Sequence, residues 1–154
     1  MRDHQGIIFK VSHSFAAKIA EQEDLAQEIR ICIWKSIPSF DQRCKASTFI
    51  YRISLNCAIS WQRGYQSRQS KREKYKQSIE YETPLAEAPD ERIDLIYREI
   101  RKLSEAERAL ILLQLEGHSY RDISDTLGIS VANVGVRLNR VKAKLVAQLK
   151  ERNR

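Results

Sequence analysis

The sequence predicts an all-α protein made of two small helical domains joined by a flexible linker. Glycine and proline are few, at 5 and 3 of 154 residues, and no strand–turn–strand pattern recurs. Apolar residues repeat at three- and four-residue spacing in both halves of the chain. A charged stretch poor in apolar residues separates the halves at 77–92. We therefore assign the first domain to 5–76 and the second to 93–150.

Three helices are predicted in the N-terminal half. The first follows apolar residues at helical spacing: Ile8, Val11, Phe15 and Ile19. The second follows Leu25, Ile29 and Ile33, and the pattern then breaks at Pro38. Ser47 is the expected N-cap of the third helix, because serine side chains accept hydrogen bonds from the first free amides. That helix carries Phe49, Ile50, Ile53 and Cys57 on one face and is expected to reach Arg63 or beyond.

The sign of the charge changes after the third helix. Between Trp61 and Lys76 the chain carries six cations and a single acidic residue, Glu73. Residues 77–92 are instead mainly acidic and contain two prolines. A segment with much charge and few apolar side chains cannot offset its own ordering entropy, so it is predicted to be the linker. The net charge of +7 indicates a polyanionic partner.

The C-terminal half predicts four further helices. Ile93, Ile96, Ile100 and Leu103 form the apolar stripe of the first. Ser104 and Glu107 form a capping box at the start of the second, which is expected to end near Gly117. Ser119 and Ser130 are expected to cap the last two. The buried stripe of the final helix is Val134, Leu138, Val141, Leu145 and Leu149.

The segment from Ser119 to Leu138 predicts a helix-turn-helix whose turn is Leu127-Gly128-Ile129. Residues at the start of a recognition helix reach base edges, and basic residues reach phosphates. The positions predicted to face DNA are Ser130, Ala132, Asn133, Val136, Arg137 and Arg140. Gly135 is unfavourable inside a helix. It either lets the DNA backbone approach closely or is a tolerated defect, and the second is slightly favoured.

Other classes of protein find less support. The three cysteines are odd in number and include no CxxC pair, which predicts a reducing compartment without a disulfide framework. No signal peptide or membrane-spanning run is visible, so a cytoplasmic protein without membrane insertion is expected. The sequence has no glycine-rich phosphate loop, and its three histidines are scattered. We expect no enzyme activity, no cofactor and no metal.

Several motifs of the N-terminal half resemble region two of bacterial RNA polymerase sigma factors. They are Asp24-Leu25-Ala26-Gln27-Glu28, Trp34, Phe40, Thr48-Phe49-Ile50-Tyr51-Arg52-Ile53 and Asn56. Motifs of the C-terminal half resemble region four: Leu103-Ser104, Arg108, Glu116-Gly117, Ser119-Tyr120 and Leu127-Gly128-Ile129-Ser130. A short chain with only a linker between the two regions is similar to the extracytoplasmic-function (ECF) group of the sigma-70 family.

The resemblance implies a division of labour between the two halves. Binding of the clamp helices of the largest subunit of core RNA polymerase is implied for Asp24, Leu25, Gln27, Glu28 and Trp34. Leu25 and Trp34 can equally be core residues, and for Trp34 the core is the favoured interpretation. Region four is implied to bind the polymerase flap and the −35 promoter element.

Recognition and opening of the −10 element is implied for the loop before the third helix and for that helix. The candidate residues are Lys45, Ser47, Asn56, Ser60, Trp61, Arg63 and Arg68. Bases held out of the stack need polar pockets and aromatic or cationic platforms. Phe49 and Tyr51 share a face with Ile53, so they are expected to be core residues.

Two functions fit the sequence. The first is a sigma factor, with promoter DNA, core polymerase and an anti-sigma factor as partners. The alternative is a stand-alone helix-turn-helix regulator that binds duplex DNA. The first half lacks the alternating strands and helices of a receiver domain, which counts against that alternative.

Overall fold

A computed structural model describes residues 4–73 and 91–152. The described chain forms seven α-helices and one 3-10 turn, and it contains no strand, which confirms the all-α prediction. The N-terminal helices are α1 (Gln5–Phe15), α2 (Ile19–Ser36) and α3 (Ala46–Glu73), with the 3-10 turn at Ile37–Ser39. The C-terminal helices are α4 (Glu91–Arg101), α5 (Glu105–Leu115), α6 (Tyr120–Leu127) and α7 (Val131–Arg152). Most of the predicted linker, 77–90, lies outside the described residues.

The first two helices meet at a break that the apolar pattern did not indicate. Ala16, the C-cap of α1, has an extended backbone, and Ile19 begins α2 with 41% of its surface exposed. Ile19 therefore does not continue the buried stripe of Ile8, Val11 and Phe15. The buried Gln22 amide donates to the carbonyl of Ala16 at 3.1 Å, which satisfies the free end of α1.

Helix α3 begins two residues earlier than the sequence predicts, at Ala46 instead of Thr48. The Phe49 amide donates to the Lys45 carbonyl at 3.1 Å, so Ser47 lies in the first turn of the helix and is not its cap. Phe49 and Tyr51 are buried, as expected for core residues. The helix continues ten residues past Arg63 to Glu73.

The caps of the C-terminal half were predicted correctly. The Glu107 amide donates to Ser104 Oγ at 3.3 Å, and Ser119 caps α6 in the same way through the Asp122 amide at 3.1 Å. Gly128 ends α6 at φ 67°, a left-handed conformation that glycine adopts readily. Ser124 Oγ closes the turn by donating to the Ile129 carbonyl at 2.5 Å.

The two halves of the chain contact each other directly. Lys10 of α1 forms an ion pair with Glu116, which follows α5. Arg63 of α3 pairs with Glu105 of α5 at 3.1 Å. The ring of Tyr51 meets the ring of His118 edge-on, with 5.4 Å between centroids. Nothing in the sequence pattern indicated these contacts.

Arg108 of α5 is the most buried cation of this contact, with 5% of its surface exposed. Its guanidinium donates to the carbonyls of Leu103 and Arg101, both at 2.9 Å, within the C-terminal half. It also donates to Gln62 Oε1 at 2.9 Å and to the Ser14 carbonyl at 3.4 Å, both in the N-terminal half. Burial lowers its pKa from the usual arginine value. One side chain thus ties the end of α1 and the middle of α3 to α5.

Replacing Tyr51 with phenylalanine is expected to raise the free energy of unfolding by up to about 1 kcal/mol. The Tyr51 hydroxyl is buried with no hydrogen-bond partner among the described residues, and such a group loses its hydration without compensation. Thermal denaturation measures the change. Tyr65→Phe is the control, because its hydroxyl donates to Glu21 at 2.6 Å, and that variant is expected to be less stable than the wild type. A clear destabilisation by Tyr51→Phe would contradict the assignment.

Candidate nucleic-acid interface

The recognition face of the helix-turn-helix lies open on α7. The six positions predicted to face DNA are all exposed: Ser130, Ala132, Asn133, Val136, Arg137 and Arg140. Three apolar residues hold α7 against the rest of the domain and are fully buried: Ile123, Val134 and Leu138. Leu127 and Ile129, in the turn, are half-buried. Burial on one face and exposure on the other give α7 the outward polar face that a recognition helix needs.

Ser130 takes part in the helix cap rather than standing free. Its Oγ accepts a hydrogen bond from the Asn133 amide at 3.2 Å. The side chains of Asn133 and Arg137 extend from the first two turns of α7, where a recognition helix contacts bases. The amides of the first turn and the positive end of the helix dipole also favour a phosphate there.

Gly135 is not required by the packing of the fold. A Cβ built on it meets the Tyr120 ring at 3.5 Å, which is an ordinary contact. Gly135→Ala is therefore expected to raise the free energy of unfolding by about 0.5–1 kcal/mol and to leave duplex binding unchanged. Gly64→Ala in α3 is the matched control for stability. Loss of duplex affinity by more than tenfold would show instead that the DNA backbone needs the space.

The predicted −10 residues lie along α3 and the loop before it. Lys45, Asn56, Ser60, Arg63 and Arg68 are exposed, whereas Ser47 and Trp61 are half-buried. The Trp61 ring stacks on Tyr65, with 5.2 Å between centroids and 14° between planes. This aromatic pair offers a flat surface of the kind on which bases stack. Tyr65 was not among the predicted residues, although its four-residue spacing from Trp61 places both on one helix face.

The two predicted DNA-binding sets border the same cleft. It has a volume of about 560 Å³ and is lined by Asn56 and Arg63 of α3, and by Arg137 and Arg140 of α7, with α5 as the floor. Inside this cleft the Arg63 guanidinium donates two hydrogen bonds to the Glu105 carboxylate. The closed arrangement therefore brings both sets of cations next to each other.

On α2, the positions of Leu25 and Trp34 differ from what the sequence led us to expect. Leu25 is fully buried and packs with Ile29 and Ile33, so it cannot contact a partner from this position. Trp34, for which the core was favoured, is instead 70% exposed. Asp24, Gln27 and Glu28 are exposed as expected.

A second groove lies between α2 and α3, with a volume of about 820 Å³. Asp24, Gln27 and Glu28 line it on the α2 side. Asn56, Ser60, Trp61 and Arg68 line it on the α3 side. The residues predicted to bind polymerase and those predicted to bind the −10 element therefore face one another across this groove.

The described residues form neither a membrane-spanning helix nor a cluster suited to hold a metal ion. No helix within 4–73 or 91–152 is both long and apolar enough to span a bilayer. The same part of the chain brings together no group of three or more His, Cys, Asp or Glu side chains suited to hold a metal ion.

Both halves of this chain are similar to known protein families and to known proteins. The family model for Sigma-70 region 2 matches residues 1–68, and that for Sigma-70, region 4 matches residues 93–145. The ECF RNA polymerase sigma factor SigW of Bacillus subtilis is 27% identical over 94% of this chain and 83% of its own length. A probable RNA polymerase sigma factor, RfaY of Xanthomonas campestris, is 23% identical over 96% of this chain but only 39% of its own.

Two solved structures have the same fold. One is the sigma factor RpoE in complex with the anti-sigma factor NepR from Bartonella quintana, with a TM-score of 0.75 and 19% identity over 97% of this chain and 93% of that one. The other is CnrH in complex with the cytosolic domain of CnrY, with a TM-score of 0.66 and 21% identity over 97% and 84%.

Proposed function

The chain belongs to the sigma-70 family, whose members are promoter-recognition subunits of RNA polymerase, and from this premise we propose which of its surfaces binds which partner. The observation that carries the proposal is the presence of both family regions in one chain, in order. A stand-alone helix-turn-helix regulator needs only a duplex-binding half and has no use for region 2. We assign the two functional units to 5–76 and 93–150, with 77–92 as the linker.

The C-terminal unit is proposed to bind the −35 element through the outward face of α7. Asn133 is suited to an adenine edge, and Arg137 to a guanine edge or a phosphate. Ser130, Ala132, Val136 and Arg140 complete the face. The exposure of all six side chains supports this assignment. The polymerase flap is the proposed protein partner of the same unit.

The N-terminal unit is proposed to bind the −10 element and hold it open. Strand opening needs platforms for unstacked bases, and the Trp61–Tyr65 stack supports such a role for this part of α3. Asn56 and Ser60 supply hydrogen-bonding groups at the same surface. The phosphates of this strand are proposed to be contacted by Lys45, Ser47, Arg63 and Arg68.

The exposed face of α2 is proposed to dock on the clamp helices of the largest polymerase subunit. An exposed tryptophan beside polar groups is typical of a protein–protein interface. Trp34, with Ile31 and Ile37 nearby in sequence and also exposed, supplies the apolar part. Asp24, Gln27 and Glu28 supply the polar part. Leu25 is proposed only to support this face from below.

Binding both promoter elements at once is expected to separate the two halves of the chain. The −35 and −10 elements lie about 25 base pairs apart, or about 85 Å along duplex DNA at about 3.4 Å per base pair. In this structure both sets of residues line one cleft of about 560 Å³, so they lie next to each other and cannot reach two elements that far apart.

Energy transfer between dyes on Ser67→Cys and Ala143→Cys, with the native cysteines replaced by serine, is expected to be high in the free chain. It should fall to near zero with core polymerase and promoter DNA, and unchanged transfer would contradict the arrangement.

An anti-sigma factor is the proposed regulator of this chain. Both structural neighbours have the same fold and were solved in complexes, one of them with a named anti-sigma factor. The role itself is proposed to be non-catalytic and cytoplasmic, because the polymerase forms the phosphodiester bonds and the promoters lie in that compartment.

The proposed role is tested by transcription from fragmented genomic DNA of the source bacterium with its core polymerase. We expect the chain to produce run-off transcripts with common start sites that core polymerase alone does not produce. A chain carrying Gln27→Ala and Glu28→Ala, both exposed, is expected to fold normally but to lose most of these transcripts. Duplex binding without association with polymerase would favour the stand-alone regulator.

A further inference from the structure

Two thiols lie side by side beneath the groove between α2 and α3. Cys32 Sγ is 3.0 Å from Cys57 Sγ, although the residues are 25 positions apart. A disulfide bond measures about 2.05 Å, so the sulfurs need to approach by only about 1 Å. We propose that Cys32 and Cys57 form a redox modification site, in which a reversible disulfide links α2 to α3.

Both thiols can be reached by a small oxidant. Each is partly exposed, and each contributes to the lining of the groove of about 820 Å³. The pKa of the Cys57 thiol is raised to about 12, mainly by burial. The thiolate is the nucleophile, and the same disulfide results whichever of the two sulfurs attacks the oxidant first. With Cys32 as the attacking sulfur, Cys57 is the resolving thiol.

Hydrogen peroxide is the simplest oxidant that completes the reaction. The Cys32 thiolate attacks one peroxide oxygen, the O–O bond breaks, and a sulfenic acid forms with release of hydroxide, which a proton converts to water. The Cys57 sulfur then attacks the Cys32 sulfur, the S–O bond breaks, and the departing hydroxide leaves as water with the Cys57 proton. Two thiols are thereby oxidised by two electrons, and one peroxide is reduced to two waters. A cellular dithiol reverses the reaction by thiol–disulfide exchange.

The position of the pair gives the modification a consequence. Glu28 lies one turn before Cys32, and Asn56 and Ser60 flank Cys57. A bond between the two sulfurs draws together the walls on which the polymerase-docking and −10 residues lie. We expect oxidation to lower promoter opening about tenfold, and this consequence rests on the proposed function. In a reducing compartment such a bond is transient, as expected of a sensor.

Thiol counting tests the site without reference to transcription. The full chain carrying Cys44→Ser is treated with hydrogen peroxide or with glutathione disulfide, then denatured and alkylated. We expect both remaining thiols to be protected as an intramolecular bond and restored by dithiothreitol. Cys32→Ser and Cys57→Ala, each in the Cys44→Ser background, should prevent that bond. If both thiols stay free to alkylation in peroxide that oxidises a small dithiol, or if only mixed disulfides form, the site is wrong.

Transcription by the same samples tests the consequence. The oxidised chain is expected to give about one tenth of the transcripts of the reduced chain, and dithiothreitol should restore them. The Cys32→Ser variant should be insensitive to peroxide. Equal activity of a fully oxidised chain would overturn the regulatory consequence. Because the thiol count is independent, a reduced chain that never initiates would count against the proposed function and not against the disulfide.

Discussion

Trp34→Ala is expected to lower the affinity of the chain for core polymerase by about 30-fold or more. A tryptophan that becomes buried at the centre of an interface typically contributes about 2 kcal/mol or more, and each 1.4 kcal/mol is a factor of about ten. Trp34 is 70% exposed in the free chain, so its removal takes nothing from the core. The free energy of unfolding is expected to change by less than about 0.5 kcal/mol.

Equilibrium binding to core polymerase, followed by fluorescence anisotropy of the labelled chain, measures this effect. Phe9→Ala in α1 is the matched control, because Phe9 is aromatic and 43% exposed but lies outside every surface proposed to bind polymerase or DNA. It should bind as the wild type does. Trp34→Ala with wild-type affinity, or with a markedly lowered melting temperature, would show that α2 docks through another face or that Trp34 is structural.

Arg108→Ala is expected to reduce the free energy of unfolding by about 3 kcal/mol. The substitution removes a nearly buried guanidinium and leaves its four acceptors, on Leu103, Arg101, Ser14 and Gln62, without that donor. Leaving buried acceptors without their charged donor strongly destabilises the folded state. The loss corresponds to a fall in melting temperature of very roughly 10 °C for a chain of this size.

Arg108→Lys separates charge from geometry. Lysine keeps the positive charge but lacks the planar fork that serves several acceptors at once, so most of the loss should remain. Arg98→Ala is the control, since Arg98 is a surface residue of α4 whose i,i+4 pair with Asp94 is worth only a few tenths of a kcal/mol. If Arg108→Ala has the same melting temperature as the wild type, the contacts of Arg108 between the halves do not stabilise the closed arrangement.

Local signals in the sequence were enough to predict the helices and the caps of the C-terminal half. Ser104, Ser119 and Ser130 each accept a hydrogen bond from an amide three residues later, which is a short-range property of the chain. The outward face of α7 followed equally well from the spacing of its apolar stripe. These predictions need no knowledge of which elements pack together.

The helix period of α2 was enough to predict which of Leu25 and Trp34 faces the core. Leu25 and Trp34 are nine residues apart, which at about 100° per residue places them on opposite faces of a helix. Only one of them can face the core, and the Leu25, Ile29 and Ile33 stripe decides in favour of Leu25. The exposure of Trp34 was therefore predictable from the helix period.

Contacts distant in sequence were not predictable from these patterns. The meeting of Cys32 with Cys57, and of Arg108 with Ser14 and Gln62, depends on how whole helices are arranged. No periodicity or capping motif specifies such pairs. The closed cleft between the halves follows from the same arrangement.

Permanganate footprinting detects unpaired thymines, so it reports directly whether this chain and core polymerase together open promoter DNA. A promoter recovered from the genomic run-off experiment is incubated with core polymerase, with the chain, or with both. We expect reactive thymines around the −10 element only when both proteins are present, and fewer of them with Trp61→Ala. Thymines that stay unreactive with both proteins, while the chain binds the duplex alone, would show that the chain is not a promoter-opening subunit.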